Sequence, residues 1–182
     1  MLRSTAIAGA IALFVCCLTA SGAAAAADGG CAQATVTPAP TTLKQASRAV
    51  LCLVNSERAS HGLAPLRGSP RLRRSARRHS RDMVVRHYFS HVSLDGADLR
   101  GRVMRVGYLR RRPDAKIGET LAWGAEGYGT PAELVRAFMQ SAEHRPTLLD
   151  PGYHDVGVGL VLGAPVDGLA GGATLTLVLG GR

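Results

Sequence analysis

From Leu43 to His61 the positions Ala46, Val50, Leu53, Val54 and Glu57 fall at steps of three and four, the spacing of one helix face. Gly62 stands where a helix end favours a left-handed residue. A loop over residues 63–68 leads to a second helix with a marked start, because Ser69 can cap and Pro70 suits the first helical position. Its inner face is Leu72, Ala76, His79 and Met83, arginines fill the opposite face, and the pattern fades near Phe89. A shorter helix is expected over residues 97–106, ended by Gly107, followed by an arginine-rich loop over 108–117. Thr130-Pro131-Ala132-Glu133 predicts another start with a capping box. That helix carries Leu134, Val135, Phe138 and Met139 inward and ends near Ser141, and a short turn or helix covers His144 to Leu149. Beyond Asp150-Pro151-Gly152, residues 156–162 and 173–179 read as strands, the first so rich in glycine that another element must approach it closely. Helices early and strands late argue for an α+β domain, and no internal repeat is visible.

The chain start changes the picture. Arg3, an apolar run from Ala6 to Thr19 and small residues from Ser21 to Ala27 have the form of a secretory signal peptide cleaved near Ala27. An uncleaved anchor is the alternative, but the apolar run is shorter than the roughly 20 residues a spanning helix needs. Cys16 and Cys17 lack the small residue a lipobox places before its cysteine. The organisation expected is therefore a leader over 1–27, a linker arm over 28–42 and one domain over 43–182. Cleavage removes two of the four cysteines and leaves Cys31 and Cys52, which in an oxidising compartment have one connectivity and tie the arm to the first helix. No later segment is apolar enough to cross a membrane.

The formal charge is +9, and all but two of the 22 basic residues are arginine. Arg67, Arg71, Arg73, Arg74, Arg77 and Arg78 open a run that continues through Arg81 and Arg86. Aromatics make up 4% of the chain and do not interleave with the run, so base stacking is unsupported and specific nucleic-acid binding is set aside. A solvated helix face is the simplest account, and electrostatic contact with an anionic envelope surface is the other.

His87 and His91 stand four apart, but the stretch reads His-Tyr-Phe-Ser-His and lacks the glutamate of a zincin. There is no G-x-S-x-G elbow to mark Ser90 or Ser141 as a nucleophile. By residue type alone, His91 is a packing or capping histidine, Glu119 a loop carboxylate, His144 a helix-end hydrogen bonder and His79 a core histidine. Trp123 reads as packing near them.

The ordered strings Val54-Asn55-x-x-Arg58, Tyr88-Phe89-Ser90-His91, Gly118-Glu119-Thr120-Leu121-Ala122-Trp123, Ser141-Ala142-Glu143-His144-Arg145 and Asp155-Val156-Gly157-Val158-Gly159 resemble the bacterial branch of the CAP superfamily (SCP-like; cysteine-rich secretory proteins, antigen 5, pathogenesis-related proteins). The resemblance covers about residues 45 to 180. It implies a three-layer α-β-α sandwich with a small antiparallel sheet, and a central cleft lined by two histidines and two acids. In several family members the histidine pair holds a divalent metal such as zinc. Carried over by motif, the histidines are His91 and His144 and the first acid is Glu119. The second acid's position, counted from Phe138 (which replaces the usual tryptophan), is Ser141, with Glu143 two residues along.

These features point first to a secreted, monomeric binding module without catalysis, its ligand a lipid, a peptide or a wall component. A metal-dependent extracellular hydrolase is the alternative, because two imidazoles make an open metal site and Glu119 beside one can orient water. A basic anchor to anionic envelope polymers is the third.

Overall fold

The structure is a computed structural model that describes residues 30–169 and 171–181. The expected leader, residues 1–27, lies outside the described residues.

Four strands form one sheet. In chain order the elements are α1 (Leu43–Ser60), β1 (Arg67–Gly68), α2 (Pro70–Val85), α3 (Leu99–Arg105), β2 (Ile117–Gly124), α4 (Pro131–Gln140), α5 (His144–Leu148), β3 (Tyr153–Leu162) and β4 (Ala173–Gly181). The strand order is β1-β3-β4-β2. β4 pairs antiparallel with β3 and with β2, while β1 adds a two-residue parallel edge. Helices cover both faces, so the molecule is a three-layer α-β-α sandwich with an antiparallel sheet in its three long strands.

Two apolar cores fill the spaces between layers. On one face Val50, Val54, Leu134 and Phe138 from α1 and α4 meet Leu175, Leu177 and Leu179 of β4. On the other, Leu72 and Ala76 of α2 and Val103 of α3 meet Val178. Every described position of β4 is buried, which is why its sequence runs apolar rather than alternating.

The glycines of β3 have a packing reason. A Cβ at Gly157 would stand 2.1 Å from the Leu72 carbonyl carbon, and one at Gly159 2.3 Å from that of Ala76. The α2 backbone therefore lies directly on the strand, as the glycine-rich pattern predicts.

Local rules hold at most helix ends. The Ser69 hydroxyl accepts from Leu72 N–H at 3.4 Å, and Gly62 ends α1 with φ +69°. The Thr130 hydroxyl accepts from Glu133 N–H at 3.3 Å. The reciprocal half of the expected capping box is not made, because the Glu133 carboxylate turns to Arg136 one turn along. α2 stops at Val85, and His87 at φ +52° breaks the helical path, so His87 and His91 share no helix face.

Two elements went unforeseen. β2 lies where the pattern shows no strand, because Gly118 and Glu119 spoil its alternation. Its strand state comes from an eight-residue ladder with β4. β1 is too short to leave a pattern.

Cys31 and Cys52 are joined, with Cα atoms 5.8 Å apart, as their isolation as a pair implied. The arm is held a second time by Ala132 N–H, which donates to the Ala34 carbonyl at 2.8 Å. Among the described residues no helix is long and apolar enough to cross a membrane.

Candidate functional site

The site begins where α2 ends. Past His87 the chain runs back along its own helix, and His79 holds it there: Nε2–H donates to the Ser90 carbonyl at 2.9 Å, while Nδ1 faces the Ser93 hydroxyl at 3.4 Å. His79 is 1% exposed. Burial pushes its pKa below the ordinary value, opposed by the charge of Glu119 and reinforced by Arg102. It is a buried positioning group behind the site, as its place on an apolar face suggested.

Arg102 organises the rest. Its Nη1 donates to the carbonyls of His91 and Ala97, both at 2.8 Å, which sets the bend of the 91–97 loop. Its Nη2 reaches both oxygens of Glu119, at 2.8 and 2.7 Å. The two side chains are 8% and 2% exposed. A buried charge pair persists where its hydrogen bonds are also made, and this one makes them at Nη1 and Nη2. Arg102 Nε finds no partner among the described residues.

Sequence reading missed Arg102. The signal was there: Leu99, Arg102, Val103 and Val106 share one face of α3, so an arginine sits on an apolar stripe. A lone cation at such a place implies buried acceptors elsewhere, carbonyls or an acid. Which acid depends on β2, the strand that went unpredicted.

His91 closes the triad from outside. Its Nδ1–H donates to Glu119 Oε1 at 2.9 Å, and its side chain is 56% exposed. The bond uses one ring nitrogen and leaves Nε2 free to meet a ligand. In metal sites an imidazole bonded this way to a carboxylate is oriented to bind through its other nitrogen.

His144 opens α5 and packs edge-on against Phe138, ring centroids 5.3 Å apart. Burial lowers its pKa; the charge of Glu143 opposes this and that of His91 adds to it. Ser141 does not act as an acid's substitute: its hydroxyl accepts the backbone N–H groups of Glu143 and His144, both at 3.3 Å. Glu143 is exposed, and its carboxylate makes no hydrogen bond or ion pair among the described residues. Trp123 is half-buried on β2.

The structure thus brings Glu119 to His91 and packs His144 against Phe138, while the Ser141 hydroxyl serves the turn before α5 and Glu143 faces solvent. No group of three or more His, Cys, Asp or Glu side chains converges to hold a metal among the described residues. The donors fit at most an open two-imidazole site, since Glu119 is buried behind His91 and paired with Arg102.

Residues 51–172 match the family described as CAP: Cysteine-rich secretory protein family. The uncharacterized protein YkwD of Bacillus subtilis is 35% identical over 127 residues, covering 70% of this chain and 47% of that protein. The uncharacterized membrane protein YlbC of the same organism is 33% identical over 111 residues, 61% of this chain and 30% of that protein. The chain spans about half the length of the first relative and less of the second. Among solved structures, an extracellular protein containing an SCP domain from Bacillus anthracis superposes with TM-score 0.62 at 24% identity, over 80% of this chain and 44% of that one. An outer surface protein from Borrelia burgdorferi does so with TM-score 0.60 at 17% identity, over 76% and 94%. At these identities the two structures share the fold.

Proposed function

Because the chain belongs to the CAP (cysteine-rich secretory protein) family, we propose that it is a secreted, envelope-associated binding module that presents a histidine-lined cleft and carries out no catalysis. One observation carries this reading: both oxygens of Glu119 are bonded to Arg102. A general base needs a free lone pair within reach of the proton it takes. Glu119 gives three of its roughly four acceptor positions to a guanidinium and an imidazole, and its side chain is 2% exposed, so its part is to orient His91. The serines offer no replacement, since the Ser141 hydroxyl accepts two turn N–H groups and that of Ser90 accepts from Val92 N–H at 3.1 Å, and neither is bonded to a histidine among the described residues. Secretion fits the leader-like start and the cross-linked cysteines. The extracellular and outer-surface descriptions of the two solved neighbours agree with it.

One feature favours the second reading, a metal-dependent hydrolase. Burial keeps the His144 pKa low, so the ring is neutral near pH 7 and able to ligate. His91, through Nε2, and His144 would hold a divalent ion in that case, and it would supply Lewis acidity. Calorimetric zinc titration of the purified protein, with His91→Ala and His144→Ala beside it, separates the two. Absence of single-site binding, or binding without turnover of peptide and wall substrates, supports the module. Micromolar binding lost in both variants together with zinc-dependent turnover overturns it.

A further inference from the structure

At the sheet edge opposite β2 the ladder is left unfinished. β1 ends at Gly68, while β3 runs on to Leu162. Residues 157–162 therefore have no strand on their outer side among the described residues. Ser69 N–H donates to the Val156 carbonyl at 2.7 Å, which shows that Val156 turns its main chain outward. In an antiparallel strand this orientation repeats every second residue, so Val158 and Leu160 also present N–H and C=O away from β4. An edge of this kind is a template for another strand, and proteins ordinarily blunt it.

Beside this edge lies a groove of ≈ 580 Å³ between α1 and the first half of α2. Its floor is apolar, from Leu43, Leu51, Val158 and Leu160. Its rim carries Lys44 and Arg48 from α1 and Arg73 and Arg77 from α2, and no acidic residue lines it. None of the four cations makes a salt bridge among the described residues, whereas Arg86, Arg102, Arg105 and Arg136 all do.

We propose that this groove docks an extended acidic peptide segment of a partner protein, added as a strand beside β3. The main chain of the peptide pairs with the outward groups of Val158 and Leu160. Alternate apolar side chains enter the floor on the α1 side, and carboxylates on the intervening residues face α2, where Arg73 and Arg77 stand. Six residues of β3 at about 3.3 Å each give an edge of roughly 20 Å, the length of a strand of ordinary size. A fatty acid or an anionic polymer also answers the charges and, in the first case, the floor. Neither supplies main-chain donors and acceptors to the strand, and that difference decides for a peptide. The groove and Glu119 sit at opposite edges of the sheet, so this site stands apart from the cleft and either reading survives failure of the other.

The test uses a fluorescein-labelled octapeptide of alternating glutamate and valine, with binding to the purified protein followed by anisotropy. Saturable binding is expected that weakens at least tenfold between 50 and 300 mM salt, and at least tenfold in R73E/R77E. A lysine–valine octapeptide does not bind. Peptides N-methylated at alternate amides, one for each register, probe the strand pairing without altering the protein, and one of the two loses binding. In the amide spectrum of the labelled protein the Val158 and Leu160 signals shift on titration. The proposal is overturned if both N-methylated peptides bind like the parent, if dodecanoate or poly-glutamate binds where the octapeptide does not, or if R73E/R77E binds unchanged.

Discussion

Two arginines are buried among the described residues, and they are satisfied in different ways. Arg58, 1% exposed, donates only to main-chain carbonyls: Ala64 at 2.9 Å, Leu148 at 2.7 Å, Asp150 at 3.1 Å and Tyr153 at 3.4 Å. It thereby fastens the loop after α1, the end of α5 and the start of β3 at one point. Burial pulls its pKa below the ordinary value, and the Asp150 charge pushes back. Beside it Asn55 closes the same loop, accepting from Leu66 N–H at 2.8 Å and donating to the Leu66 carbonyl at 3.1 Å. Arg102 divides its donors between two carbonyls and the carboxylate of Glu119, which reaches an exposed imidazole. A cation whose partners are all backbone is an internal clamp. One whose partner is a side chain that goes on to touch solvent is the support of a site.

The largest expected effect tests the clamp. Arg58→Ala leaves two buried and two partly buried carbonyls short of a donor and opens a cavity, so it should cost about 4 kcal/mol in urea unfolding. A cost below about 1 kcal/mol means that water replaces the guanidinium and that Arg58 is no clamp.

Arg102→Ala comes next, at about 3 kcal/mol, because it strands the buried Glu119 carboxyl. R102A/E119Q should recover about 1 kcal/mol of this, since the remaining partner is then neutral. Arg58 has no such rescue, its partners being main chain. Equal behaviour of the two arginines in these cycles ends the distinction.

The pH response separates the two regions further. The pKa of His79 lies below its unfolded value, so both states are neutral above pH 7 and the unfolded chain alone gains a proton as pH falls below about 6.5. Stability therefore declines from that pH downward and levels off once the folded ring also titrates. His79→Gln should flatten most of that decline in melts between pH 7 and 5, with a smaller part left from His144, whose pKa is also low. An unchanged profile assigns the acid sensitivity to other groups.

The smallest expected effect is on stability in His91→Ala. The imidazole is more than half exposed, and its bond to Glu119 should contribute within about 0.5 kcal/mol. The thermal midpoint should stay nearly unchanged while any ligand response of the cleft disappears. A large loss of stability places His91 with the clamp.

Much of the fold can be read from neighbouring residues. Leu72, Ala76, His79 and Met83 follow a helical period and are all buried, and Ser69, Thr130 and Gly62 cap where their chemistry suits. Gly157 and Gly159 announce the close approach of α2 without naming it. The motif strings pointed to His91, Glu119 and His144, of which the first two meet in the folded chain. They also suggested Ser141 or Glu143 as a second acid; in the folded chain the first is a turn hydroxyl and the second faces solvent.

Helix faces and ends and the late strands depend on residues within a few positions, so the chain announces them before it folds. Which distant groups meet is settled only by packing. Ile117 to Gly124 is a strand because β4 offers it a ladder, and Arg102 lies under Glu119 because α3 packs beside that strand. The groove along β3 exists because β1 stops after two residues. Such contacts join positions far apart in the chain. Their energy comes from burial and from the cost of leaving a charge unpaired, neither of which leaves a period in the sequence.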